Sequence, residues 1–307
     1  MAIVVVTDSD LGDGSIERQV LRDHDVRFAT SADAEGIISV AGDADGLLVQ
    51  WARIDDSLLA QLPKLTSLVR YGIGLDNIDL DAAAARNITV ANVPDYCIDE
   101  VAAHAVAFVL ARARRLVAYA GNAEEGHWNL DGVDLPKAPS DDPVGVAGVG
   151  RIGRVVATHF AKLGHPVFGW DPYAPSWPDG IERVETLVDL AAAVNHLSLH
   201  VPMLPATKGI ADAQVFAALG PGGHLVNTSR GGLVNEHDLL AALNTGTLGF
   251  ASLDVLSSEP PSGDAALLVQ HPSTMVTPHA AYVSDTAKIR LQRRAAEIME
   301  SLLTSDR

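Results

Sequence analysis

Arg230, Glu259 and His279 bring together a fixed cation, a carboxylate and an imidazole, the three groups an acid/base site needs. The Arg lies in Val-Asn-Thr-Ser-Arg-Gly-Gly, the Glu in Ser-Ser-Glu-Pro-Pro and the His in Thr-Pro-His. Each follows an apolar run that reads as a buried strand, and open α/β sheets place their ligands beyond the carboxyl ends of such strands. Imidazole titrates near neutrality. A carboxylate bonded to it favours the imidazolium, and guanidinium offers a planar fork that grips a carboxylate. Taken singly, a His after a strand is usually solvated or a cap, and a Glu before Pro is usually a loop charge. Together, in this order, they read as one site and the chain reads as an enzyme.

A glycine-rich turn precedes them. Gly148, Gly150 and Gly153, with Arg151 and Ile152 between them, follow an apolar strand and open a helical pattern, the context in which Gly-x-Gly-x-x-Gly binds a dinucleotide. Small residues let the backbone approach a pyrophosphate, and the unpaired N–H groups of a helix N-terminus stabilise its charge. Asp171 ends the next apolar run, placed to accept hydrogen bonds from a ribose and to repel a 2′-phosphate. The expected cofactor is NAD rather than NADP.

The elements that must position these groups alternate short β-branched runs with longer Ala/Leu-rich segments, the pattern of parallel sheets covered by crossover helices. The predicted fold class is α/β, with two Rossmann-like or flavodoxin-like domains. First-sheet strands are expected at 3–7, 26–29, 46–49, 67–71 and 89–93. Six more, at 144–147, 167–170, 196–200, 224–227, 249–254 and 274–277, match a dinucleotide-binding sheet. One extended helix is expected over 99–117. An arm or loop rich in Asp, Gly, Pro and Asn is expected over 121–143, around Trp128. Ser284 is the expected N-cap of a terminal helix.

Composition narrows the function class. The chain has 307 residues, 48% of them hydrophobic, enough for two ordinary domains with cores. Its formal charge of -17 argues against nucleic acid as a partner. Cys97 is the single cysteine, which excludes an intrachain disulfide and fits a reducing compartment. With no signal-peptide pattern and no apolar stretch of transmembrane length, the expectation is a cytoplasmic protein away from membranes, with no metal site.

These motifs, together with Val-Arg-Tyr-Gly-Ile-Gly-Leu-Asp-Asn-Ile-Asp at 69–79, Asn-Val-Pro at 92–94 and Leu-His-Val-Pro at 199–202, resemble the D-2-hydroxyacid dehydrogenase family over nearly the whole chain. That NAD-dependent group includes glycerate, D-lactate and phosphoglycerate dehydrogenases and the C-terminal-binding-protein corepressors. The resemblance implies that Asp254 orients the nicotinamide carboxamide and that His200, Val201 and Pro202 lie beside the adenosine. Thr207, Thr228 and Ser229 are further implied cofactor contacts. Tyr71, Gly72, Ile73 and Gly74 form the implied loop whose N–H groups hold a substrate carboxylate against Arg230. It further implies a discontinuous substrate domain, 1–98 with a returning helix at 285–307, around a nucleotide-binding domain at 99–284 whose 99–143 stretch makes a homodimer contact.

Hydride arriving at a carbonyl carbon builds negative charge on the oxygen, so the site needs a proton donor and fixed positive charge there. His279 supplies the proton and, in reverse, takes it from the hydroxyl. The expected reaction is hydride transfer between NADH and a small 2-oxo acid or D-2-hydroxy acid. Gln50, Trp51 and Arg53 follow an earlier strand and are expected to edge the cleft; an Arg53 facing it would suit a phosphate, phosphonate or second carboxylate on the substrate. His104, on the long helix, reads as structural. The rival reading is an NADH-sensing binding protein like the corepressors, whose branch is closer to the Ala280-Ala281-Tyr282 tail than the Ile-Gly-Gly or Ile-Gly-Ser of many glycerate and phosphoglycerate enzymes. A third reading, oxidation of formate or phosphite, has no supporting residues. A chain stopping at Arg307 is expected to lack the regulatory domain of some phosphoglycerate dehydrogenases.

Overall fold

A computed structural model describes residues 1–305. The chain forms two compact units, Met1–Cys97 with the segment from Val283 onward, and Ile98–Tyr282. In the first, β1 (Ile3–Val6), β2 (Asp25–Phe28), β3 (Gly46–Val49), β4 (Ser67–Arg70) and β5 (Thr89–Asn92) pair in parallel in the order β2-β1-β3-β4-β5. This is the flavodoxin-like order, with its switch point between β1 and β3. The helix Asp285–Ser305 packs on β3 and β4, burying Leu291, Ala295, Ala296 and Met299. Ser284 Oγ accepts the Ala287 N–H at 2.9 Å, the side-chain cap the sequence led us to expect; such a cap contributes about 1 kcal/mol.

The second unit holds β6 (Val144–Ala147), β7 (Val167–Trp170), β8 (Glu182–Arg183), β9 (His196–Leu199), β10 (His224–Asn227), β11 (Phe250–Leu253) and β12 (Thr274–Val276). All pair in parallel, in the order β12-β11-β10-β9-β6-β7-β8. The central strands β6, β9 and β10 are buried at every position because helices cover both faces. Strand order reverses between β6 and β9, so their carboxyl ends, at Gly148 and His200, flank the crevice in which such sheets bind ligands.

Two expectations are corrected. The second sheet has seven strands rather than six, because β8 is a two-residue exposed edge whose Glu-Arg carries no apolar period. The long helix is two helices, Ile98–Ala113 and Leu116–Glu124, parted where Arg115 adopts a left-handed backbone (φ 57°). No Gly or Pro marks that break. Arg115 instead ties back to the main chain, through Nη1 to Arg112 O and Nε to Asp134 O, both 3.4 Å. The expected arm therefore begins helically at 121–124 and becomes irregular beyond it, apart from a short turn at Pro139–Asp141.

Candidate active site

Arg230, Glu259 and His279 all follow strands of the second sheet: the Arg after β10, the Glu after β11 and the His after β12. The Arg230 turn is closed by Asn227, whose Oδ1 accepts the Ser229 N–H at 3.1 Å and whose Nδ2 donates to Arg230 O at 2.9 Å. Ser229 Oγ donates to Leu199 O at 2.8 Å, tying the turn to β9. Gly231 packs so tightly on Leu256 and Ser257 main chain that a Cβ would collide with it. That glycine seats the Arg230 turn against the loop carrying Glu259.

His279 Nδ1 lies 2.7 Å from Glu259 Oε2, while Glu259 Oε1 accepts the Leu256 N–H at 3.0 Å. Burial pushes the Glu259 carboxyl up, but the His279 hydrogen bond, that ring's charge, the Leu256 N–H and the Arg230 charge together hold it below the usual carboxylate range. Glu259 thus stays ionised as acceptor of Nδ1–H, leaving the other ring nitrogen, Nε2, for proton exchange. His279 sits in the left-handed region (φ 51°). Its N–H donates to Asp254 O at 2.8 Å.

Asp254 is 2% exposed, and its carboxylate is engaged by this same loop. Oδ1 accepts from Thr277 Oγ1 (2.5 Å) and Ala280 N (2.8 Å), and Oδ2 from Ala281 N (2.9 Å). Of roughly four acceptor positions on a carboxylate, this leaves one for the nicotinamide contact the sequence implied.

The residues around the glycine turn fit a dinucleotide. Gly148, at φ 92°, packs against the His200–Val201 main chain, and Gly153 against the Gly148 carbonyl, whereas the Cβ direction at Gly150 is open space. The turn is tied to the end of β7 by Asp171, which accepts the N–H of Val149 and of Tyr173, each at 2.9 Å. The helix Arg151–Lys162 starts there, with Arg151 exposed and Ile152 half-buried. Thr228 Oγ1 and His200 Nδ1 are buried polar atoms with no hydrogen-bond partner among the described residues, which a polar ligand at this crevice would satisfy. His200 Nε2 pairs with Ser198 Oγ at 2.9 Å, and burial lowers its pKa to about 4, so the ring is neutral. Thr207 is committed locally, donating to Pro202 O at 2.6 Å. Val201 is buried, whereas Pro202 is exposed.

In the other unit the expected loop divides into support and surface. Tyr71 is 1% exposed; its hydroxyl donates to Glu17 Oε1 at 2.8 Å and its N–H to Val49 O, so its side chain anchors the loop from beneath. Gly72 has φ 135°, and the Arg70 guanidinium occupies the space a Cβ would take. The N–H groups of Gly72, Ile73 and Gly74 make no hydrogen bond among the described residues. At the switch point, Asp8 accepts the N–H groups of Gln50, Trp51 and Ala52 at 2.5–3.1 Å, holding the loop on which Trp51 and Arg53 are exposed. Arg70 Cζ lies 5.7 Å from the Trp51 ring centre, joining the two loops. Asp8, Glu17, Arg70, Asn227 and Gly231 escaped the sequence reading. Asn227, before Thr-Ser, carried the one local signal, that of an Asx turn.

Residues 106–281 match the model of a family described as D-isomer specific 2-hydroxyacid dehydrogenase, NAD binding domain. A D-3-phosphoglycerate dehydrogenase of Mycobacterium bovis is 36% identical over 289 residues, 92% of this chain and 53% of the relative. A glycerate dehydrogenase of Methylorubrum extorquens is 33% identical over 251 residues, 80% of this chain and 78% of the relative. Among solved structures, an NADPH-dependent glyoxylate/hydroxypyruvate reductase from Sinorhizobium meliloti, in complex with NADP and malonate, superposes with a TM-score of 0.87 at 28% identity, covering 99% of this chain and 94% of that one. The chain spans about half the length of the first curated relatives it matches.

Proposed function

The chain belongs to the D-isomer specific 2-hydroxyacid dehydrogenase family, and we propose that it is an NAD-dependent oxidoreductase interconverting a small 2-oxo acid and its D-2-hydroxy acid. The observation that carries this reading is the 2.7 Å contact between His279 Nδ1 and an ionised Glu259, with Arg230 charge felt at the same carboxylate. Gly148, Gly150 and Gly153 would hold the pyrophosphate, Asp171 the adenosine ribose, and Thr228 and His200 the polar groups between. NADH bound there supplies the hydride. His279, stabilised as imidazolium by Glu259, delivers a proton through Nε2 to the carbonyl oxygen as its charge grows. Arg230 grips the substrate carboxylate and offsets that charge. In the oxidative direction the neutral ring accepts the hydroxyl proton, and Glu259 stabilises the cation that forms.

The first unit offers an anion-binding edge of its own: the Gly72–Gly74 N–H groups, the Arg70 guanidinium beneath them and exposed Arg53 beyond Trp51. To this edge we assign the binding of an anionic group such as a carboxylate, phosphate or phosphonate. The helix Leu116–Glu124 exposes Leu116 and Val117, and the arm exposes Trp128, Leu130 and Leu135, apolar groups that suit the surface of a second copy in a homodimer. A cytoplasmic location is the matching proposal; no helix among the described residues is long and apolar enough to cross a membrane.

The test is NADH oxidation across a panel of neutral and anionic 2-oxo acids, with NADPH as the cofactor control. The reading requires turnover of at least one acid with NADH preferred. NADH binding with no turnover on any acid, and association that depends on NADH, would favour the sensor instead.

A further inference from the structure

A non-glycine residue in the left-handed region costs about 1–2 kcal/mol and persists only where its surroundings over-determine it. At His279 the surroundings are Asp254, which holds the residue by its main-chain carbonyl and the next two N–H groups by its carboxylate. A carboxylate whose side chain is 1% exposed is tolerable only when well bonded. Its third donor is the Thr277 hydroxyl, at 2.5 Å.

That hydroxyl has one proton, and Asp254 takes it. His104 Nε2, 3.1 Å from Thr277 Oγ1, must then be the protonated ring nitrogen and donate. The result is a directed chain from His104 through Thr277 to Asp254 and on to the loop. His104 is itself fixed on the helix Ile98–Ala113, edge-on to Phe108 with ring centres 4.6 Å apart. Its Nε2 is also 3.8 Å from Asp254 Oδ1, so any charge on the ring strengthens the same anchor.

We propose that His104 and Thr277 are positioning residues that act through Asp254 to aim the His279 imidazole. The proposal rests on the reading of His279 as the acid/base. Their side chains join Asp254 in one chain of hydrogen bonds, so their contribution is to orientation: they should alter the proton-transfer step more than NADH binding. Gln at 104 can place an amide N–H near the position of Nε2, and Ser at 277 keeps the hydroxyl; Leu and Val keep bulk and lose the bond.

The experiment is steady-state NADH oxidation with the best acid, plus NADH titration by fluorescence, for H104L, H104Q, T277V, T277S and the H104L/T277V pair. H104L and T277V are expected to lower kcat about tenfold, within the range that small misplacements produce. KM and the NADH Kd should stay within about twofold. H104Q and T277S should retain most of the activity, and the double variant should be no worse than either single one. Wild-type kcat in both H104L and T277V, a loss confined to KM, failure of Gln and Ser to rescue, or losses that multiply would each overturn the proposal. If the wild-type enzyme shows no His279-dependent turnover, the acid/base reading fails separately. Amide exchange at Ala280 and Ala281 then decides positioning: exchange about tenfold faster in H104L and T277V, but not in H104Q or T277S, supports it, and unchanged exchange overturns it.

Discussion

Glu259 and His279 form a pair, 2.7 Å apart, in which the imidazole helps to keep the carboxyl ionised. Burial opposes ionisation of the Glu259 carboxyl, yet the imidazole bond, the ring's charge, the Leu256 N–H and the Arg230 charge hold it ionised below its usual range. The Glu259 carboxylate therefore stays charged above its own titration and its contribution to the pair is lost as pH falls through that lowered value. Glu259→Gln keeps an acceptor for Nδ1–H but removes the charge that favours imidazolium. The expected outcome is a fall in kcat/KM for reduction; an unchanged kcat/KM would separate Glu259 from proton transfer. That Glu259 and His279 would meet was legible because carboxylate and imidazole are complementary types. Their supports were not: nothing in Ala-Ser-Leu-Asp-Val announces the three donors that the Asp254 carboxylate holds.

Strands place the site and glycines bring its pieces together. Most strand positions were legible because buried parallel strands are continuous apolar runs. The exposed pair at β8 and the break at Arg115 were not, since one has no apolar residue and the other no breaker. Gly231 illustrates a further limit. In the sequence it is one of two adjacent glycines, but its lack of a side chain is what lets the Arg230 turn reach the Leu256–Ser257 main chain. Gly231→Ala would force that contact apart, at a cost of about 1–3 kcal/mol for overpacking. A lower unfolding midpoint and reduced kcat are expected together. Gly232→Ala meets only the flexible end of Met203 and should be milder; equal effects in thermal melts and turnover would remove the distinction.

Two buried histidines tie the stability of the whole molecule to pH. Burial lowers His200 to about 4. Burial, then the charges of His196, Arg112 and Arg115, hold His224 well below its usual value. Its Nδ1 faces His196 Nδ1 at 3.1 Å, its Nε2 faces Ser252, and Asp142 lies 3.0 Å beyond, on His196 Nε2. In the unfolded chain both histidines bind a proton near pH 6.5, whereas the folded protein leaves them neutral until far lower. Stability is therefore expected to fall as pH drops below about 6.5, by roughly 2 kcal/mol at pH 5 from His200, with His224 acting in the same direction. Denaturant titrations at pH 7 and pH 5 check this, and equal stabilities would contradict it. The family and its NAD-binding domain were legible from the joint order of motifs. The substrate was not, because specificity lies in a few side chains whose arrangement a linear sequence does not show. The central claim is proton transfer by His279 to an acid reduced by NADH. Its most direct test compares wild type with His279→Ala on the best acid of the panel, measuring NADH consumption and NADH affinity in the same preparations. The account predicts a loss of at least about 100-fold in kcat with NADH affinity essentially unchanged; near-normal turnover by the alanine variant would contradict it.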